Sequence, residues 1–242
     1  MRSSVVFCVM AIGCGGGHSS AGPDAPGSMA DAAPATFDAP TAPSGRYEPW
    51  HLGAVWTYHL TDPTGVMPAK TAKTEMLAWE NMPAWAGPHA GKPAYKIHED
   101  QLVGGIDAWE SFEGDNDVRY AQIDYDQNNA LVDQQFEVNW RLKVDESAAH
   151  TAANAAWTES FNITTITVAT GTTTNPKTEG WSVVNPAESI TVLAGSYTAL
   201  HVRRTNGGGT TAKTKDYWFV KDVGKVKETG GSQDEELMSY VP

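Results

Sequence analysis

The sequence is poor in cysteine. Only Cys8 and Cys14 occur among its 242 residues, and both lie within the first fourteen. Residues 15–242 therefore cannot form a disulfide, supply a thiol nucleophile or bind zinc through thiolates. A folded unit in this region must depend on its own core. It is long enough to do so, because domains of roughly 200 residues bury about 70% of their unfolded surface.

Long hydrophobic runs and basic clusters are missing as well. Beyond residue 12 the sequence has no stretch of the roughly 18 apolar residues that a membrane-spanning helix requires. Lys and Arg number 17 against 29 Asp and Glu, which gives a formal net charge of −12. Nucleic-acid binding and adsorption to anionic lipid both need clustered Lys or Arg. The charge balance therefore argues against both.

Motifs for catalysis are absent. The sequence contains no G-x-S-x-G nucleophile elbow, no H-E-x-x-H pair and no phosphate-binding loop. Glu110 and Glu113 are an odd number of positions apart in one expected strand, so they would face opposite sides and could not form a glycosidase pair. We predict that the chain is not an enzyme and uses no cofactor.

The first fourteen residues have a recognisable order. Arg2 precedes the short apolar run 5–12, and Gly13 stands directly before Cys14. The run is too short to span a bilayer and is typical of a secretory signal. The arrangement resembles the signal peptide and lipobox of bacterial lipoproteins. The resemblance implies export, cleavage before Cys14, an acyl (palmitate) anchor on Cys14 and, because Gly15 follows, the outer membrane. An ordinary secretory signal with a chance cysteine is the alternative.

Three regions follow from the composition. Residues 1–13 form the expected signal peptide. Residues 14–46 combine the lipidated cysteine with a linker of Ala, Pro, Gly and Asp, which is too poor in large apolar residues to fold and predicts a disordered tether. All nine tryptophans lie after residue 46. Residues 47–242 are therefore the expected folded domain.

The dominant period of the folded region is two. Runs such as 56–60, 118–123 and 197–204 alternate apolar and polar residues and end at Gly or Asn turns, which predicts an antiparallel all-β domain of about 10–11 strands. Two segments differ. The alanine-rich segment 146–157 predicts a short helix, and 79–93, with its Pro and Gly residues, predicts an irregular loop that carries Trp79 and Trp85.

The last third of the chain suggests a family. Segments 188–202 (ESITVLAGSYTALHV) and 217–228 (YWFVKDVGKVKE) resemble the E-x-V-x-V-P-A-G-T-[FY]-x-x-L-x-V and Y-[WY]-F-A-x-G-V-G-x-V-[KR]-E patterns of uncharacterised, myxobacterial-type outer-membrane lipoproteins. Leu193 replaces the family's proline, and Asp222 stands where Gly-Val-Gly is usual. The sheets of such proteins resemble LolA/LolB-like half-open barrels. This resemblance implies a single curved sheet around an apolar concavity, but no reaction.

One loop resembles a calcium site. Asp124, Asp126 and Asn128 stand at positions 1, 3 and 5 of a calcium-loop pattern. Asn129 replaces the usual glycine, however, and Gln135 stands where a bidentate glutamate belongs. A hairpin turn explains the same residues, because Asn and Asp favour turns. The turn is the favoured interpretation, and calcium stays a weak alternative.

Ligand binding is the leading hypothesis for function. Leu200 and Val202 face one side of their expected strand, and an apolar ligand or a protein segment could lie against them with Trp218. Trp79 and Trp85 in the loop could cover it. The expected protein is thus a lipid-anchored, non-enzymatic binding protein of the cell envelope, whose partners are the membrane, an apolar ligand or an envelope protein. A structural or interaction protein with a filled core is one alternative, and a hydrolase of envelope polymers is another.

Overall fold

A computed structural model describes residues 45–167, 170–207 and 213–242. The expected signal peptide, Cys14 and nearly all of the expected linker lie outside these ranges. No helix within them is long and apolar enough to cross a membrane. The described strands are β1 (Val55–Thr61), β2 (Lys70–Asn81), β3 (Pro93–Asp100), β4 (Gly105–Glu113), β5 (Asn116–Tyr125), β6 (Leu131–Asp145), β7 (Ala156–Thr167), β8 (Gly171–Val192), β9 (Gly195–Asn206), β10 (Lys213–Val220), β11 (Gly224–Thr229) and β12 (Asp234–Val241).

The strands form a closed antiparallel barrel. Each strand pairs with its neighbours in sequence, and β1 also pairs with β12, from Val55 opposite Val241 to Thr61 opposite Asp234. The all-β antiparallel prediction is confirmed. The half-open sheet of 10–11 strands is wrong, because the twelve strands close on themselves. Closure satisfies the backbone N–H and C=O groups of both edge strands, which an open sheet would leave unpaired.

The expected loop at 79–93 is shorter than predicted. Strand β2 continues through Trp79 to Asn81, and only residues 82–92 are irregular, with a single 3-10 turn at Gly87–His89. Strand β2 escaped prediction because its sequence, KTAKTEMLAWEN, carries only two fully buried apolar side chains and its register shifts between Met76 and Ala78. The alternation is therefore weak.

The predicted helix at 146–157 is wrong. Residues 146–155 form bends and turns, and residues 156–157 already belong to β7. The backbone N–H of Ser147 donates to Asp145 Oδ1 at 2.9 Å, and Asn154 has a φ of 64° in the left-handed region. Such local bonds compete with a helix, and a segment this short gains little from alanine propensity alone.

The two ends of the barrel differ. At the end we call proximal, residues 45–50 lie against the turns between strands. The Gly45 N–H donates to Asp222 Oδ1 at 2.5 Å, and Arg46 Nη1 donates to the carbonyl of Gly114 at 3.2 Å. Trp50 is 1% exposed and stacks on Phe112 with centroids 4.7 Å apart. This segment therefore plugs the proximal end. The opposite, distal end carries the turns near residues 62–69, 101–104, 126–130 and 230–233.

The loop 82–92 packs on the outside of the barrel. Met82 and Ala86 are buried against Trp109 and Tyr120, which point outward from β4 and β5. Trp85 meets Trp109 edge to face, with centroids 5.4 Å apart. The loop therefore covers an apolar patch on the outer surface and leaves the interior of the barrel to other side chains.

Candidate functional site

The interior of the barrel carries charged side chains at inward positions of the strands. In β9, Arg204 shares the inward face with Leu200 and Val202, and in β10 Lys215 shares it with Tyr217. Arg204, Lys215, Tyr217 and other inward residues enclose a cavity of about 210 Å³, which we call the central chamber. Its charged lining residues are Glu48, Glu99, Glu110, Arg119, Arg141, Lys143, Arg204, Lys215, Lys225, Glu228 and Glu235.

Arg119 is the centre of one ion-pair cluster in the chamber. Its Nε donates to Glu110 Oε1 at 2.7 Å, its Nη2 to Glu99 Oε1 at 2.5 Å, and its Nη1 to Gln122 Oε1 at 3.0 Å. Lys143 Nζ lies 3.3 Å from the same oxygen of Glu110. Burial alone would raise the pKa of Glu99, but Arg119 and Lys143 outweigh it and hold that pKa well below its usual range. Glu99 therefore acts as an ion-pair partner rather than as a proton donor.

Lys225 holds a second cluster. Its Nζ lies 2.7 Å from Glu228 Oε2 and 2.8 Å from Glu235 Oε2, and Lys215 also contacts Glu228. Burial opposes ionisation of Glu228, yet Lys225 and Lys215 lower its pKa to about 2. Glu228 is thus ionised at neutral pH and pairs with both lysines.

Arg141 and Arg204 form a third group with a single carboxylate. Arg141 Nη2 lies 2.9 Å from Glu179 Oε1, and Arg204 Nη1 lies 3.8 Å from the same oxygen. Both arginines line the central chamber. Arg141 also lines a larger cavity of about 940 Å³ toward the distal end, which we call the distal cavity. Its lining residues are Gln135, Arg141, Phe161, Ile163, Thr165, Asn175, Pro176, Lys177, Thr178, Glu179, Asn206, Gly207 and Lys213.

Asp117 and Glu137 are buried carboxyl groups that lack full pairing among the described residues. Asp117 is 0% exposed, and burial, with the added repulsion of Glu48 and Glu110, raises its pKa well above the usual range. Glu137 is 1% exposed, and burial raises its pKa to about 7 although Arg141 and Arg119 oppose that rise. Both groups favour the protonated form more than an exposed carboxyl does.

The predicted ligand-binding residues do not converge on one site. Leu200 and Val202 are 1% and 2% exposed in a packed interior cluster. Trp218 points outward, where it stacks on His201 at 4.1 Å and donates from Nε1 to Glu188 Oε1 at 3.1 Å. Trp79 packs on Tyr95 near the proximal plug, and Trp85 lies on the outer surface. Only Leu200 and Val202 are close neighbours.

The calcium-loop residues are also separated. Asp124 points inward, where Gln135 Nε2 donates to its Oδ2 at 2.7 Å, and burial together with a hydrogen bond to Asp133 raises its pKa to about 6. Asp126 Oδ1 instead accepts the backbone N–H groups of Asn128 and Ala130, both at 2.8 Å, within the turn. Across the described ranges, no group of three or more His, Cys, Asp or Glu is placed to hold a metal ion.

The charged interior was not identified from the sequence. A signal was nevertheless available, because Arg204 is two residues beyond Val202 and therefore on the same face of an alternating strand, and Lys215 is likewise two residues before Tyr217. For Arg119 the signal was hidden, since β5 shifts register on both sides of it.

Comparison of the chain with protein-family models, with curated proteins and with solved structures found no match. The arrangement of the interior therefore carries the functional argument. Ion pairs, buried carboxyls and two adjoining cavities make the interior suited to holding a polar group.

Proposed function

We propose that this chain is a lipid-anchored, non-enzymatic binding protein of the cell envelope that takes a small ligand into its barrel. The observation that carries the proposal is the distal cavity, whose volume of about 940 Å³ lies within the range of small-molecule sites. The cavity adjoins the interior through Arg141, so a ligand held there would meet charged groups as well as apolar ones.

The ligand we propose differs from the one expected for an apolar concavity. Leu200 and Val202 pack against other buried side chains and line neither cavity. The walls of both cavities carry several ionised groups, and burying a purely apolar molecule against unshielded charge is unfavourable. A ligand with a polar part suits such walls better.

A filled scaffold is the second candidate function. It is favoured by the tight packing around Leu200 and Val202 and by the plugged proximal end. In this case the barrel would be a rigid platform, and an envelope protein would bind to its outer surface.

The anchor is tested at Cys14. Replacing Cys14 with Ser should move the protein from the membrane fraction to the soluble fraction and remove the acyl mass, because stable anchoring requires the lipid chains. Replacing Cys8 with Ser is the matched control and should leave both unchanged, since Cys8 precedes the expected cleavage site. An acyl mass that persists in the Cys14→Ser protein would disprove the anchor.

The binding function is tested by native mass spectrometry of the exported full chain that carries Cys14→Ser. A discrete additional mass, lost after solvent extraction, is the expected result and would identify the class of ligand. A clean mass of the polypeptide alone from several expression hosts would instead support the filled scaffold.

A further inference from the structure

The charges around the distal cavity are unusual for this chain. Its ionisable lining residues are three bases, Arg141, Lys177 and Lys213, and one acid, Glu179. The chain as a whole has a formal net charge of −12. A net positive cavity in an acidic protein attracts anions, whereas the acidic remainder of the surface repels them.

Buried donors with no acceptor among the described residues occur on Arg141, which lines this cavity, and on two residues close to it in the interior. Arg204 is 8% exposed, and its Nε has no hydrogen-bond partner among the described residues. The same holds for Arg141 Nε and for the indole Nε1 of Trp181. The guanidinium carbon of Arg204 lies 5.7 Å from the centroid of the Trp181 ring. Glu179 is the only carboxylate paired with the two guanidinium groups within the described residues. Buried donors in proteins normally have an acceptor, so this group is suited to receive one from a ligand.

Buried hydrogen-bond acceptors without a donor are also present. Glu179 Oε2 and Asn206 Oδ1 are buried and have no donor among the described residues. A head group that carries a hydroxyl could donate to one of them while its anionic oxygens accept from the arginines.

One wall of the cavity is apolar. Phe161 is 6% exposed, and Ile163, on the same face of β7, lines the cavity beside it. Arg141 lies over the ring of Phe161 at 5.9 Å, so the charged and apolar walls meet at this arginine. A ligand that satisfies both walls must be amphipathic.

We propose that the distal cavity binds an amphipathic anion that also carries a hydroxyl. Its carboxylate or phosphate lies between Arg141 and Arg204, where the distal cavity adjoins the central chamber, and its apolar part lies against Phe161 and Ile163. This inference rests on the proposed function and specifies the class of ligand.

The test is calorimetric titration of the full chain with Cys14→Ser. The probes are 3-hydroxydecanoate and 3-hydroxydecyl phosphate as anions and 1,3-decanediol as the uncharged analogue, all below their micelle concentrations. We expect at least one anion to bind and the diol to bind at least about tenfold more weakly, because charge-assisted hydrogen bonds are lost. The tighter of the two anions assigns the head group as carboxylate or phosphate.

Variants locate the site. Arg204→Gln should weaken anion binding at least about tenfold. If this variant does not fold, the exposed pair Lys177→Gln/Lys213→Gln supplies the test and should weaken binding several-fold, with a smaller salt dependence. Lys73→Gln is the matched control, because it removes a positive charge from β2 that does not line the cavity. It should leave binding unchanged.

Equal affinity for the diol, or anion binding that is unaffected by the Arg204 and lysine variants, would overturn the inference. These outcomes differ from failure of the proposed function. If native mass spectrometry shows a bound ligand that the variants still retain, the protein binds a ligand but not at this site. If no species is bound and no probe binds, both the binding function and this site are rejected.

Discussion

Replacing Arg119 with Met should lower the free energy of unfolding by about 3–5 kcal/mol. The guanidinium is 6% exposed and is the shared partner of Glu99 and Glu110, whose side chains are 17% and 3% exposed. Its removal leaves two carboxylates inside the barrel with Lys143 as the nearest cation, at 3.6 Å and 3.3 Å. The loss is large because the uncompensated charges cannot regain their hydration without opening the barrel.

Urea unfolding at pH 7 measures this effect, and the melting temperature should fall by about 10 °C. Arg203→Gln is the matched control. Its guanidinium also pairs with a carboxylate, at 2.9 Å from Asp216, but it is 48% exposed, so its loss should change stability by less than about 1 kcal/mol. If the two variants were equally stable, the interior cluster would be hydrated and the chamber open to solvent.

A double variant separates the lost ion pair from lost packing. Glu110→Leu added to Arg119→Met removes the most buried of the unpaired carboxylates and should recover part of the stability. No recovery would mean that the volume of the Arg119 side chain, rather than its charge, supports the barrel.

The sequence predicted most of the strands but not that they close into a barrel. Alternation over 56–60 or 118–123 is a local signal and located β1 and β5. The pairing of β1 with β12 joins Val55 to Val241, which are far apart in the chain and share no local pattern. Whether a meander closes depends on the tilt and stagger of all its strands together, and neither can be read from a single run.

The charged side chains of the interior were not predicted, for a related reason. Alternation assigned Leu200 and Val202 correctly to one face of their strand, and the structure places Tyr217 of the next strand opposite Val202. The expected half-open sheet suggested that this face would be apolar. In a closed barrel of twelve strands the same face encloses a wide interior, and long charged side chains such as Arg204 and Lys215 fill the space that apolar residues leave.

Glu137→Gln should stabilise the protein at pH 8 and have little effect near pH 4.5. Glu137 faces Arg141 on its own strand and Arg119 and Glu110 on β5 and β4, while His89 Nε2 lies 2.9 Å from its backbone carbonyl. Burial raises its pKa in the folded protein from 4.5 to about 7. The glutamine side chain is neutral at every pH of the test. Glu137 is neutral in the folded protein only below its raised pKa.

The sign follows from the two pKa values. Below pH 4.5 both the folded and the unfolded chain keep the proton, so the carboxyl does not disfavour folding. Between pH 4.5 and 7 the unfolded chain releases the proton first, and stability falls as the pH rises through this window. Above pH 7 the loss is complete, and a difference of about 2.5 pH units at 1.36 kcal/mol each amounts to about 3 kcal/mol. The glutamine variant does not incur this loss.

Urea unfolding of both proteins at pH 4.5, 6 and 8 tests this dependence. The difference in unfolding free energy should grow across the series toward about 3 kcal/mol. Glu236→Gln, on strand β12, is the matched control and should change stability by less than about 0.5 kcal/mol at each pH. A Glu137→Gln difference that stays constant with pH would show that Glu137 ionises at the same pH in the folded and unfolded chain. In that case the carboxyl is hydrated, and the interior beside Arg141 is accessible to water.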